Sequence, residues 1–208
     1  MKSRSWLVIG LIVIGIIATS ALYTAQGTNT VGVTIETNGT ANTTHVNFKA
    51  SLLNSAPSQM QDEIRKKVSE DVNEYQSTVD SIKSDVSAIA KKYNYTASTT
   101  IISQFGTDQL SMEAQVSGTS MVPTLQDGQN IMVLKTKDFK INDIVVAYHP
   151  DYNLIVKRVG KIEGNQVYLM ADNKHVTTKQ LGNGMVEIDT PLSTWVPKDN
   201  VIGVVKQY

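Results

Sequence analysis

The sequence predicts a mainly β protein whose C-terminal half is an antiparallel barrel or folded sheet. Three observations support this fold class. The first 27 residues are dominated by an apolar stretch, residues 28–113 combine strand-like alternation with a long helical stripe, and residues 114–208 form a series of short strands separated by turns. Short strands without crossover helices are typical of antiparallel sheets. We therefore expect an N-terminal membrane anchor, a small α+β module and a C-terminal β domain.

The N-terminal stretch predicts a membrane helix at 1–27. Its apolar part runs from Trp6 to Tyr23, and eighteen residues at about 1.5 Å each approach the ~30 Å thickness of the hydrocarbon layer. Lys2 and Arg4 precede it, which favours a cytoplasmic N-terminus and an external body. A cleaved signal peptide is the alternative, but its apolar region is usually shorter, at ~7–15 residues.

The module at 28–113 begins with a predicted hairpin, because Val31, Val33 and Ile35 alternate with other residues before the turn signal "TNGT". One long amphipathic helix is then predicted at about 58–92. Its apolar residues recur at steps of three and four and form one narrow stripe: Ile64, Val68, Val72, Tyr75, Val79, Ile82, Val86, Ile89 and Tyr93. The stripe needs a partner, either the hairpin or another chain, and the hairpin is the commoner solution. "TASTTIISQFG" predicts a further strand beside it.

From residue 114 onwards the strand candidates follow one another closely. They are "NIMVLK", "DIVVAYH", "LIVKRVGKI", "QVYLMA", "MVEID" and "VIGVVKQ", and the turns between them include "QDGQ", "HPDYN", "EGNQ" and "GNG". This pattern predicts the antiparallel domain at 114–208.

Composition excludes several classes of function. The formal net charge is zero, so nothing indicates a nucleic-acid partner, which would need clustered positive charge. Cysteine is absent, which excludes disulfides and thiolate catalysis. No metal-ligand spacing or phosphate-binding loop is visible, so we expect neither a metal nor another cofactor. Three Asn-x-Ser/Thr sequons, at Asn38, Asn42 and Asn94, predict surface positions and fit an external location.

The stretch "VSGTSMVPTL" contains the best candidate nucleophile, Ser120. Gly118 and Thr119 permit a tight turn before it, and Pro123 prevents a helix after it. A serine hydroxyl needs a base that takes its proton. The three histidines, which are His45, His149 and His175, are all predicted to be surface residues.

Lys157 is the alternative base. It lies beside Arg158 in the apolar strand "NLIVKRV", and adjacent side chains of a strand point to opposite faces. One of the two cations should therefore face the apolar side, where burial lowers the pKa of a lysine and makes its amine a competent base. The alternative is that both side chains reach solvent at a strand edge.

The order "SGTSMVPTLQDGQNIMV", "NDIVVAYHP", "LIVKRVGKI", "MADNK" and "WVPKDNVIGVV" resembles signal peptidase I, a family of membrane-anchored serine proteases, over about residues 114–208. The resemblance implies a Ser-Lys dyad, with Ser120 as the acylated nucleophile, Lys157 as general base and the Ser120 N–H in the oxyanion hole. It also implies a signal-peptidase- and LexA-like barrel, an extracytoplasmic catalytic domain at the cell membrane, and secretory preproteins and membrane lipid as partners.

The resemblance also implies supporting roles for Gly118, Thr119, Asp172, Asn173 and Thr177. Gly118 stands where some members carry a serine that helps bind the oxyanion, and Thr177 corresponds to a serine that hydrogen-bonds the lysine. Other positions depart from the family. Ala171 replaces the glycine of "GDN", and a later aspartate and arginine fall on Lys179 and Leu181, so a supporting ion pair is expected to be missing.

Two alternative functions stay open. The retained barrel could serve as a catalytically inactive, membrane-tethered binding protein, which the altered positions 171, 179 and 181 favour. LexA-type self-processing peptidases share the barrel and the Ser-Lys dyad, although they are soluble and carry a DNA-binding domain. The module at 28–113 is not required by the family core, so it is expected to recognise substrates, bind a protein partner or orient the catalytic domain.

Overall fold

The computed structural model of the chain describes residues 29–50, 55–180 and 186–208. The predicted membrane anchor at 1–27 lies outside these ranges and stays a prediction. Within the described ranges no helix combines the length and the apolar character needed to cross a membrane.

The first sheet is built by the module. It contains β1 (Asn29–Glu36), β2 (His45–Ala50), β3 (Tyr95–Ser103) and β4 (Gly106–Thr107), in the order β2-β1-β3-β4. The β1–β2 pair is antiparallel and the β1–β3 pair is parallel, so the predicted hairpin and the later strand that joins it are both confirmed. The hairpin tip turns at Gly39, whose φ of +95° is a conformation that favours glycine.

The predicted single helix at 58–92 is wrong, because the structure has two helices there. They are α1 (Ser58–Asn73) and α2 (Val79–Lys92). The backbone is extended at Glu74, and Thr78 starts α2 with a capping box, in which its Oγ1 accepts from the N–H of Ser81 at 3.1 Å and its own N–H donates to Ser81 Oγ at 2.9 Å. The apolar spacing of three and four continues across the break, so periodicity alone could not reveal it.

Both helices pack on the first sheet. The fully buried side chains of Ile64, Val68, Ile82 and Val86 belong to one core cluster with β1, including Ile35. The apolar stripe therefore finds its partner within the chain, as expected, and does not need a second chain.

The second sheet has seven strands, and all of its neighbouring pairs are antiparallel. In chain order they are β5 (Leu110–Gln115), β6 (Asn130–Lys135), β7 (Ile144–His149), β8 (Asn153–Glu163), β9 (Gln166–Met170), β12 (Thr194–Pro197) and β13 (Val201–Gln207). The sheet is curled, and its order runs β12-β9-β8-β7-β13-β6-β5. A separate two-stranded sheet pairs β10 (Thr177–Gln180) with β11 (Val186–Asp189). The mainly β, antiparallel class is confirmed, and the strands β5, β10 and β12 were not predicted.

Strand β5 connects the two sheets. Leu110 is buried in the core of the module, whereas Met112, two residues later, is buried in a core of the second sheet. The second sheet therefore begins at Leu110, slightly before the expected boundary at 114. The connection between β5 and β6 carries Ser120, so the candidate nucleophile lies at the edge of the large sheet.

Candidate active site

The loop that carries Ser120 is anchored by apolar side chains. Met121 and Leu125 are fully buried, and the N–H of Leu125 donates to the carbonyl of Met121 at 2.9 Å. Gly118 has a φ of +87°, which bends the chain just before the serine, as its sequence position predicted. These features leave Ser120 half-buried, so its hydroxyl stays accessible from outside.

Lys157 points to the same place from strand β8. The residue is only 5% exposed, and its Nζ lies 2.5 Å from Oγ of Ser120. Burial lowers the pKa of the Lys157 amine below its ordinary value, because the charged form loses its hydration. The expectation that one of the two adjacent cations faces the apolar side is therefore confirmed, and that cation is Lys157.

Arg158 projects from the opposite face of β8 and keeps its charge. Its Nε and Nη2 donate to the two carboxylate oxygens of Asp172 at 2.8 and 2.6 Å. This guanidinium lowers the pKa of Asp172, so the pair stays ionised. The hydroxyl of Thr124, in the nucleophile loop, donates to the same carboxylate at 2.6 Å. Asp172 thus ties the loop to the sheet.

Asn173 holds the nucleophile loop directly. Its backbone N–H donates to the carbonyl of Ser120 at 3.0 Å, and its side-chain amide donates to the carbonyl of Thr119 at 3.0 Å. At the start of the loop the N–H of Gly118 donates to the carboxylate of Asp127 at 2.7 Å. Among the described residues, none accepts a hydrogen bond from the Ser120 N–H.

A groove of about 830 Å³ runs past Ser120 and Lys157. One side is the outer part of β5, from Met112 to Gln115, and β5 is an edge strand of the seven-stranded sheet. Another side is formed by β8, including Leu154. The volume is in the range of a ligand-binding cleft, and an edge strand offers unpaired backbone groups to an extended peptide.

The structure brings most of the predicted site residues together. Ser120 and Lys157 are in contact, and the predicted supporting residues Gly118, Thr119, Asp172 and Asn173 all lie in or against the nucleophile loop. Thr177 lies in β10, but its side chain is outside the described part of the structure, so its expected hydrogen bond to the lysine stays a prediction. The side chains at positions 179 and 181 also lie outside the described part of the structure, so the expected loss of a supporting ion pair there stays a prediction.

The histidines are not part of this centre. His45 and His175 are exposed, as expected. The prediction that His149 is a surface residue is wrong, because it ends strand β7, is only 8% exposed, and accepts a hydrogen bond at Nδ1 from the N–H of Asp151 at 3.2 Å. The turn tip begins one residue later than the sequence suggested. The three sequon asparagines, Asn38, Asn42 and Asn94, are exposed as predicted.

Sequence reasoning missed Thr124 and Asp127, as well as the pairing of Arg158 with Asp172. The pairing follows from the strand register, because Arg158 lies opposite Met170 on β9 and Asp172 follows two residues later on the same side. That register is not visible in the sequence. The ion pair between Arg158 on β8 and Asp172 after β9 is distinct from the family ion pair whose loss is expected at positions 179 and 181. Within the described ranges no three His, Asp or Glu side chains gather as a metal site requires.

Comparison with known proteins identifies one family whose model matches the chain. No curated protein matches the chain. The model of the family described as Peptidase S24-like matches residues 81–189, just over half of the 208 residues, and the matched segment contains Ser120, Lys157 and Asp172. This is a serine peptidase family with a Ser-Lys dyad, and the match supports the superfamily that LexA-type proteins and signal peptidases share, without singling out signal peptidase I. With this match and the Ser120–Lys157 contact together, the chain belongs to the Peptidase S24-like family.

Proposed function

We propose that this protein is a membrane-anchored Ser-Lys endopeptidase that removes signal peptides from secretory preproteins on the extracytoplasmic face of the cell membrane. Residues 1–27 are the proposed anchor, 28–113 an accessory module and 114–208 the catalytic domain. The observation that carries the proposal is the 2.5 Å contact between Lys157 Nζ and Ser120 Oγ, made by a buried lysine beside an open groove.

In the proposed reaction the neutral amine of Lys157 removes the proton of the Ser120 hydroxyl while Oγ attacks the scissile carbonyl. The developing oxyanion accepts a hydrogen bond from the N–H of Ser120. Lys157 then gives its proton to the leaving amine, which departs with the C-terminal part of the substrate. A water molecule, deprotonated by the Lys157 amine, then hydrolyses the acyl-enzyme and regenerates Ser120.

The groove supports an extended substrate. The edge of β5 offers main-chain hydrogen bonds, and this strand-addition mode gives affinity that does not depend on the substrate sequence. Small residues next to the scissile bond would allow the peptide backbone to approach Ser120 closely. We therefore propose that the enzyme cleaves after a small-x-small sequence, which is the pattern at the end of signal peptides.

The test is cleavage of a secretory preprotein by the purified full-length protein in liposomes. We expect wild type to produce the mature fragment and Ser120→Ala and Lys157→Ala to lose at least about a thousandfold in rate. Lys161→Ala, which removes an exposed lysine from the same strand, is the matched control and should cleave like wild type. Equal stability of the preprotein with wild type and both dyad variants would reject the proposal.

The family match favours a second candidate, a LexA-type peptidase that processes its own chain. The same experiment separates the two activities when cleavage is followed by mass spectrometry over a dilution series. Self-cleavage within one chain proceeds at a rate that is independent of concentration and leaves the preprotein intact. A protein that cleaves neither its own chain nor the preprotein would be the inactive scaffold.

A further inference from the structure

The groove beside the dyad is not built by the catalytic domain alone. Among the described residues that precede β5, five line the groove and belong to the accessory module: Gly39 and Thr40 at the tip of the β1–β2 hairpin, Val72 and Asn73 at the end of α1, and Tyr75 in the connection to α2. These residues face the same space as Ser120 and Lys157. We call this group of five residues the module wall.

The module wall is fixed to the catalytic sheet by close backbone contact. A Cβ added to Gly39 would lie 2.7 Å from the carbonyl oxygen of Ser111, so only glycine lets the hairpin tip approach β5 this closely. The side-chain oxygen of Asn73 accepts a hydrogen bond at 3.1 Å from the N–H of Ala41, which follows Thr40 in the hairpin tip. The hairpin tip and the end of α1 therefore form one unit that abuts β5.

The connection between the two helices docks on the same sheet. Nζ of Lys135, on β6, donates to the carbonyl of Glu74 at 2.8 Å. The ring of Tyr75 stacks on that of Tyr148 from β7, with ring centroids 6.3 Å apart. The break between α1 and α2 is therefore the place where the module contacts the catalytic sheet, which gives the break a structural role.

Burial along β5 shows where the open edge ends. Leu110, Ser111 and Met112 are all buried, although successive side chains of a strand point to opposite faces, whereas Glu113 and Gln115 are exposed. The module thus covers the first half of β5 and leaves the second half, nearer to Ser120, open. From Gln115 back to Met112 the strand covers about 10 Å, or three residues of an extended peptide.

The five residues of the module wall carry no charged side chain. The wall offers the half-buried aromatic ring of Tyr75, a hydroxyl from Thr40 and an exposed amide from Asn73, and the buried side chain of Val72 lies behind them. Among the residues that the structure describes, the charged side chains lining the groove are Lys157, at the dyad, and Glu113, which is exposed on β5 and disfavours an acidic side chain beside it. An apolar or aromatic substrate side chain fits this surface better than a charged one.

We infer that the accessory module is a specificity element: its wall closes the far end of the peptide groove and selects an apolar or aromatic substrate side chain about three or more residues from the scissile bond, on the side of the peptide that runs along β5. This inference rests on the proposed peptidase function. It assigns a role to a segment that contributes no side chain to the catalytic dyad.

The test uses peptides that carry one cleavable sequence, with each position changed in turn to Ala, Leu, Phe or Asp. Thr40→Trp fills the wall and should lower kcat/KM about tenfold or more for peptides with Leu or Phe at the selective position, while the Ala peptide changes less than about twofold. Tyr75→Ala should weaken the preference for Phe at that position. Asn38→Trp, an exposed change at the same hairpin tip and outside the groove, should leave every preference unchanged.

A binding experiment separates this inference from the proposed function. In a Ser120→Ala background, fluorescence anisotropy of the same labelled peptides should show the same dependence on Thr40→Trp, whether or not wild type cleaves them. Binding with this dependence, but no cleavage by wild type, would overturn the proposed peptidase function and support the selective role of the module wall. Equal effects of Thr40→Trp on all peptides, or an unchanged preference in both wall variants with thermal unfolding like wild type, would overturn the inference.

Discussion

The two faces of strand β8 treat neighbouring cations in opposite ways. On one face Lys157 is buried, its polar contact is the hydroxyl of Ser120, and burial lowers its pKa. On the other face Arg158 is paired with both carboxylate oxygens of Asp172, and its charge is retained. We call these the reactive face and the supporting face.

The difference shows how one strand can supply both the general base of a hydrolytic site and the ion pair that positions its nucleophile loop. A general base must be able to give up its charge, and among the described residues no carboxylate forms an ion pair with the buried Lys157. A loop that positions a nucleophile must not move, so the supporting face uses a two-point ion pair that also binds Thr124. Exchange of the two environments would disable both functions.

The largest expected effect comes from replacing the base with a group that cannot lose its positive charge. Lys157→Arg places a guanidinium, which does not deprotonate in proteins, beside Ser120, so we expect peptide cleavage to fall by about a thousandfold or more. The reciprocal change Arg158→Lys keeps a cation but loses the two-point geometry, and we expect a decrease of only about tenfold. Steady-state kinetics on one peptide substrate measures both changes. Comparable activity in the two variants would show that the faces are not specialised.

A smaller effect is expected when the supporting face loses its anion. Asp172→Ala leaves Arg158 without its carboxylate partner and frees Thr124, so we expect the free energy of unfolding to fall by about 2 kcal/mol and kcat to fall about 10- to 100-fold. Chemical denaturation and kinetics provide the two measurements, with the exposed Asp138→Ala as control. A loss of stability with unchanged kcat would mean that the ion pair supports the fold but not the loop.

The same variant has a defined dependence on pH. The pKa of Asp172 is lowered in the folded protein from an ordinary value near 3.8, so its contribution to stability is present above that value and disappears as the pH falls through the lowered pKa. The difference in stability between wild type and Asp172→Ala should therefore be constant at neutral pH and decrease only in acid below about pH 3.8.

The sequence predicted the reactive face better than the supporting face, for a physical reason. Period-two alternation in "NLIVKRV" is a local signal, and it is sufficient to place Lys157 and Arg158 on opposite sides. The partner of Arg158 depends on the register between β8 and β9, which includes an irregularity between Val159 and Lys161 that no composition reveals. Asp172 and Asn173 were expected to support the site from family resemblance, but their contacts were not predicted.

The secondary structure of the module was largely predicted, but its contacts with the catalytic sheet were not. Alternation and turn residues gave the β1–β2 hairpin, and helical periodicity gave the buried stripe. The break at Glu74 lies where Lys135 contacts the Glu74 carbonyl and Tyr148 stacks on Tyr75, and both partners are distant in sequence. The close approach of Gly39 to Ser111 is likewise visible only in three dimensions.

The most direct test of the central claim is the titration of Lys157 itself. Heteronuclear NMR of the full-length protein labelled with ¹³C and ¹⁵N at lysine, with the resonance of Lys157 assigned by its disappearance in Lys157→Met, would give its pKa without any knowledge of the substrate. We expect the amine to titrate below the ordinary value of 10.5, with peptide cleavage rising with pH through the same transition, because only the neutral amine can take the proton of Ser120. A Lys157 that stays charged up to pH 10.5 or above, in a protein that still cleaves peptides at neutral pH, would contradict the Ser-Lys mechanism.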